Sequence, residues 1–231
     1  METLFNSPDK WESKYITADG YNTHYIEAGK NNPEPLILVH GGANEIGMGN
    51  YRWYPNIIPL GEHFHVHAVD ELGHGYTDPP RNLEDLGHVR VRAEHVISFI
   101  EALDVGPVNL AGQSQGGWIV AYITIKRPEL VKKLVLIDSG STSGSAIKRE
   151  GQENQAQYID VDGKQIKVDG SGDLPYFKEV FAQDKKFVFH CASGWRSAIS
   201  VATLQDMGFD AAHLKDGFGG WEKAGGPIER S

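Results

Sequence analysis

Along the first 140 residues, short apolar runs alternate with stretches whose apolar residues recur every three or four positions. Pro35-Leu36-Ile37-Leu38-Val39 is a continuous apolar run ending in His40-Gly41-Gly42, the pattern of a strand buried on both faces. The stretches from His63 to Asp70, Pro107 to Ala111 and Leu134 to Ile137 predict further strands. Between them, Ala93, Val96, Ile97, Ile100 and Leu103 fall on one helical face, and a second helix is predicted from Trp118 to Lys126. Strands alternating with helices require crossover connections, which implies an α/β fold: a mostly parallel sheet with helices on both faces.

The pattern then changes. Residues 141–157 carry almost no apolar side chains and read as a linker. Tyr158 to Val161, Asp162-Gly163 and Lys164 to Val168 predict a hairpin with a tight turn. Asp160, Asp162 and Asp169 do not have the spacing of a twelve-residue calcium loop. From Asp173 the alternation resumes: a short helix from Tyr176 to Phe181, a strand from Phe187 to His190, a helix from Arg196 to Met207, and a strand from Ala211 to Lys215. Three parts follow: 1–140, a polar linker and hairpin at 141–172, and 173–231.

Net charge and cysteine content narrow the function classes. A formal charge of −9 argues against nucleic acid or an anionic membrane as partner and leaves a small-molecule substrate. One cysteine permits no intrachain disulfide. The polar amino terminus has no signal-peptide pattern, and no apolar run is long enough to span a bilayer, so the expected location is cytoplasmic.

Gly112-Gln113-Ser114-Gln115-Gly116 lies between a predicted strand and a predicted helix, the context of a nucleophile elbow. The glycines allow a sharp turn that thrusts the Ser114 hydroxyl out at a helix amino terminus. The amides of Gln115 and Gly42 are the candidate oxyanion donors. LILVHGGA, AVDELGHGYTDPP, NLAGQSQGGW and KLVLIDSG together resemble the α/β-hydrolase superfamily over residues 20 to about 140, with the nearest likeness to C–C hydrolases of ring-cleavage products and to related esterases. That resemblance implies Ser114 as nucleophile. It lapses near Ser141, before the family's cap and the segments that carry its acid and base. Asp138, after the strand that follows the elbow, and His213 are the candidate acid and base. The simpler reading of Asp138 is a strand-end residue held by backbone amides.

Two histidine features are read as structural. His63, His65 and His67 alternate, a conceivable metal spacing, but no acidic or cysteine partner lies nearby in sequence, so a partly exposed sheet face is expected and no metal or cofactor is assigned. His74 belongs to the GHG turn.

His190-Cys191-Ala192-Ser193-Gly194-Trp195-Arg196-Ser197 follows an apolar strand and precedes a predicted helix. Loop amides from Ala192 to Trp195, the helix dipole and the Arg196 charge would all favour a thiolate at Cys191. FVFHCASGWRSA and VATLQDMGFDAAHLKDGFGGWEKAGGPIE resemble the carboxyl-terminal half of a rhodanese domain, which implies Cys191 as a persulfide carrier. The first half of such a domain has no counterpart in this chain. A hydrolase lacking its last strand-helix-strand unit is thus joined to a unit that is itself strand-helix-strand. One continuous sheet is expected, with the strands from Phe187 and Ala211 in the last two places; two separate lobes are the alternative.

Three functional readings stand: a serine hydrolase of ester or C–C bonds, a sulfurtransferase through Cys191, and a recombined or artificial chain without turnover. The cysteine reading has a direct check. A formed loop moves the midpoint of the Cys191 alkylation rate against pH below the free-thiol value of about 8.5, and Arg196→Ala moves it back up.

Overall fold

A computed structural model describes residues 10–42, 49–137, 139, 158–161, 164–167, 187–190, 211–213 and 223. Ten strands are present among them: β1 (Trp11–Ala18), β2 (Tyr21–Ala28), β3 (Pro35–Val39), β4 (His65–Val69), β5 (Val108–Gln113), β6 (Val131–Ile137), β7 (Tyr158–Val161), β8 (Lys164–Lys167), β9 (Phe187–His190) and β10 (Ala211–His213). Three α-helices accompany them: α1 (Tyr54–Gly61), α2 (Val89–Leu103) and α3 (Gln115–Lys126).

Eight strands form one sheet in the order β1-β2-β4-β3-β5-β6-β9-β10. β1 and β2 form an antiparallel hairpin whose turn, Asp19-Gly20, has positive φ at both residues, the geometry that matches strand twist. β2 also runs antiparallel to β4, and every later pairing is parallel. The strands expected at the end of the chain do join this sheet: Leu136 and Ile137 pair with Phe189 and His190, and Ala211 to His213 pair with Phe187 to Phe189. The hairpin expected after the linker is β7–β8, a separate two-stranded sheet. Its Asp162-Gly163 turn and the helices expected from Tyr176 and Arg196 lie outside the described residues.

Burial explains the continuous apolar run of β3. All five of its residues are buried, because both faces of the sheet are covered. Ile37 and Val39 face a cluster with Phe99 and Ile100 of α2 and Trp118 and Ile119 of α3, while Leu36 and Leu38 face Trp53 and Ile57 on the other side. Helix α2 begins four residues before Ala93, the first residue of its predicted apolar face, and α1 has too short and too proline-rich a sequence to announce itself. No helix among the described residues is long and apolar enough to cross a membrane.

His63 departs from expectation. It is exposed and precedes β4, so only His65 and His67 share the strand face. The face is partly exposed at His65 but closed at His67, which lies across from Glu27 of β2 and beside Ile37 of β3 and is 1% exposed.

Burial also sets the protonation of four histidines. His40, His67, His74 and His95 each have a pKa lowered from the ordinary 6.5 to about 4, in every case mainly by burial. The unfolded chain therefore binds more protons than the native one between those values. The stabilising effect of keeping these rings neutral is complete above about pH 6.5 and is lost as pH falls towards 4. Denaturant titrations across this range should show stability falling with pH, with uptake of more than one proton on unfolding. A flat profile from pH 7 to 4.5 would contradict the burial of these rings.

Candidate active site

Ser114 occupies the single residue between β5 and α3. Its backbone, at φ 54° and ψ −118°, lies in a region that L side chains rarely enter, at a cost of roughly 1–3 kcal/mol. Three hydrogen bonds hold it there. The Ser114 amide donates to the Ile137 carbonyl at 2.9 Å, while its own carbonyl accepts from the Gly117 amide at 3.0 Å and from Ser139 Oγ at 2.6 Å. The turn at Ser114 has the strand-turn-helix geometry expected from the pentapeptide.

The flanking glycines are required by close approach. A Cβ at Gly112 would stand 2.2 Å from the Gly116 carbonyl oxygen, and one at Gly116 would stand 2.3 Å from the His40 oxygen and 2.4 Å from that of Val39. The first turn of α3 thus lies directly against the end of β3. Gly41 also packs against Ser114, since a Cβ there would be 2.7 Å from Ser114 Cβ. Gly42 follows with φ 98°, a conformation open to glycine. The chain leaving β3 is therefore wedged beside Ser114.

Buried polar groups fix this corner. Arg92 of α2 donates from one guanidinium nitrogen to Glu71 Oε2 at 3.0 Å and from the other to Gln115 Oε1 at 2.7 Å. Arg92 and Glu71 are each 1% exposed. Burial pushes the Glu71 carboxyl up, and the adjacent Arg92 charge opposes that shift. The Glu71 amide in turn donates to His40 Nε2 at 3.2 Å, while His40 Nδ1 lies 3.2 Å from the Gly41 carbonyl. Both ring nitrogens of this neutral histidine are engaged with backbone, so it braces the loop and is not free to take a proton from Ser114. His74 is likewise buried in its turn, with Nδ1 3.0 Å from the Leu72 carbonyl.

Beside it, the Asp70 carboxylate collects the Asn50 amide at 2.6 Å, the Tyr76 amide at 3.0 Å and His24 Nδ1 at 2.6 Å. These groups were not singled out from sequence. They are dispersed along the chain, and only the GHG turn marked the region.

The other predicted site residues are placed unequally. Asp138 lies outside the described residues, although its neighbours Ile137 and Ser139 both bond the Ser114 backbone. His213 is the last described residue of β10, at the level of Phe189 and, through β6, of Gly112. Cys191, Ala192, Ser193, Gly194, Trp195 and Arg196 lie outside the described residues, immediately after the carboxyl end of β9.

Residues 34–193 match the family model described as the alpha/beta hydrolase fold. The chain belongs to the α/β-hydrolase family. The match runs past the expected boundary near residue 140 and takes in β9. Among curated proteins, this chain is 38% identical over 136 residues to a 2-hydroxy-6-oxo-6-(2'-aminophenyl)hexa-2,4-dienoic acid hydrolase of Metapseudomonas resinovorans, covering 58% of this chain and 44% of that one. It is 36% identical over 118 residues to an (E)-2-((N-methylformamido)methylene)succinate hydrolase of Acinetobacter baylyi, covering 50% and 40%. The chain thus spans under half the length of these relatives. Among solved structures, a bacterial membrane phospholipase A superposes with a TM-score of 0.54 at 30% identity, covering 62% of this chain and 44% of that one. A putative lipase of Acinetobacter baumannii superposes at 0.53 and 26%, covering 68% and 48%.

The elbow of this α/β-hydrolase tolerates no added carbon at Gly116. Gly116→Ala should force α3 off β3, lower stability by roughly 1–3 kcal/mol and suppress any Ser114-dependent rate. Denaturant midpoints together with active-site labelling check this, and an unchanged labelling rate would contradict it.

Proposed function

We propose that the protein is a serine hydrolase acting on ester bonds, or on C–C bonds flanking a carbonyl, in small-molecule substrates. The observation that carries this reading is the strained Ser114 backbone, held against the β3 exit loop. The Ser114 oxygen attacks the carbonyl carbon and its proton passes to a base, for which His213 is the candidate. The oxyanion that forms is met by the amides of Gly42 and Gln115, at the positive end of α3. Collapse expels the leaving group with that proton, and water then hydrolyses the acyl-enzyme. Asp138 is the candidate for orienting the base. The names of the hydrolase relatives favour a substrate whose scissile bond is activated by a neighbouring carbonyl.

A second reading is sulfur transfer through a Cys191 persulfide, cradled by the amides from Ala192 to Trp195 and by Arg196. It rests on the rhodanese-like sequence after β9 and on the position of β9 in the sheet, whose carboxyl end lies on the same edge as the elbow.

Activated aryl esters and a vinylogous 1,5-diketo acid, assayed with the purified chain, test the first reading. A complete serine–base pair gives a rate that Ser114→Ala lowers on the order of a million-fold and that His213→Ala lowers comparably. An elbow without a base leaves only the slow residual rate of the oxyanion hole, which Ser114→Ala does not lower. A rate indifferent to Ser114→Ala overturns the proposal, and thiosulfate-to-cyanide transfer abolished by Cys191→Ser would put the second reading in its place.

A further inference from the structure

The sheet brings together what the sequence keeps apart. His65 and His67 lie on one face of β4, and Glu27 of β2 stands directly across from His67. Glu27 Oε1 is 3.0 Å from His65 Nε2 and 3.8 Å from His67 Nε2. One ligand atom from each of the three residues falls within 4.8 Å of the others, the one such group of histidine, cysteine and carboxylate side chains among the described residues. Ligand bonds of about 2.1 Å in a tetrahedron put neighbouring donors about 3.4 Å apart, so the two distances to Glu27 bracket that value.

We propose that Glu27, His65 and His67 form a binding site for a divalent first-row metal ion of the Zn2+ class, clamping β2 to β4. A carboxylate–histidine hydrogen bond accounts for Glu27 and His65 alone. It does not account for the buried His67, whose Nε2 faces the same Glu27 oxygen at 3.8 Å, beyond hydrogen-bond range. An ion between the three residues would take His67 Nε2 together with Glu27 and His65, using the spacing that a direct hydrogen bond to Glu27 leaves too long.

Two imidazoles and one carboxylate suit a borderline cation and leave a fourth position open. Water can fill it from the His65 side, where the ring is 19% exposed. Lys14 of β1 bonds the other oxygen of Glu27, fixing its orientation while its charge weakens the hold on a cation. This site is separate from Ser114. His67 is level with Leu110 of β5 through Ile37, about 13 Å along the strands before the elbow.

The test uses the full chain, stripped with chelator, incubated with Zn2+ alone and freed of unbound ion by gel filtration. Elemental analysis should find close to one Zn2+ per chain in the wild type and in Cys191→Ser, and much less in Glu27→Gln and His65→Ala. The melting temperature of the wild type should rise by roughly 5–10 °C at a hundredfold excess over the dissociation constant, and that of Glu27→Gln should not. Lys14→Met, which removes the competing charge, should bind more tightly. Glu27→Gln preserves side-chain shape, so it is informative even if His65→Ala unfolds. Equal Zn2+ content and equal melting shifts in the wild type and Glu27→Gln, absence of binding in the wild type, or weaker binding by Lys14→Met would overturn the proposal.

Discussion

One buried guanidinium holds the corner of the molecule where the chemistry is proposed. Arg92 reaches Glu71 at the end of β4 and Gln115 at the start of α3, and the Glu71 amide reaches His40 at the end of β3. The exits of three adjacent strands are thus tied through a single side chain on α2. Such a pair adds little net stability over apolar packing, since both charges lose their water. Removing one partner is another matter, because the remaining charge is left uncompensated at a cost of about 3–5 kcal/mol. The arrangement contributes position more than stability: it fixes the elbow helix relative to the loop that leaves β3.

A second polar knot works on the neighbouring side. The Asp70 carboxylate joins the β1–β2 hairpin through His24, the turn after β4 through Tyr76, and the segment leading into α1 through Asn50. Gly75 follows this carboxylate closely, since a Cβ there would stand 2.1 Å from Asp70 Oδ2. The GHG motif is thereby explained as packing, which agrees with reading His74 as structural.

The parts of the fold written in local pattern were legible. The apolar run of β3, the helical face of α2 and the strand-turn-helix around Ser114 are each encoded within a dozen residues, and each forms where expected. The β1–β2 hairpin escaped notice because its strands mix buried and exposed polar residues, so that Thr23, His24 and Glu27 conceal the alternation. The carboxylate opposite His67 escaped for a different reason: Glu27 is forty residues away in sequence and becomes a neighbour only when β2 pairs with β4. The merged sheet was inferable from the count of strands missing on each side. The carbonyl-facing residues of the elbow, Gly41 and Ser139, were not, because their role is contact with a backbone that only the turn creates.

The union of β6 with β9 carries a consequence for time. Every strand from β1 to β6 meets a sheet neighbour within the first 137 residues, but β6 acquires its second partner only at Phe189 and His190. Closing the roughly fifty intervening residues carries an entropy cost that grows with the logarithm of their number, on the order of 3 kcal/mol. The contacts that repay it are few at first, two register pairs to β6. Assembly should therefore run in sequence order, the elbow with its strained serine forming early on local pairings and the far edge of the sheet docking late. During synthesis the amino-terminal half would wait with β6 as an open strand, a surface on which a second chain could pair before its own does.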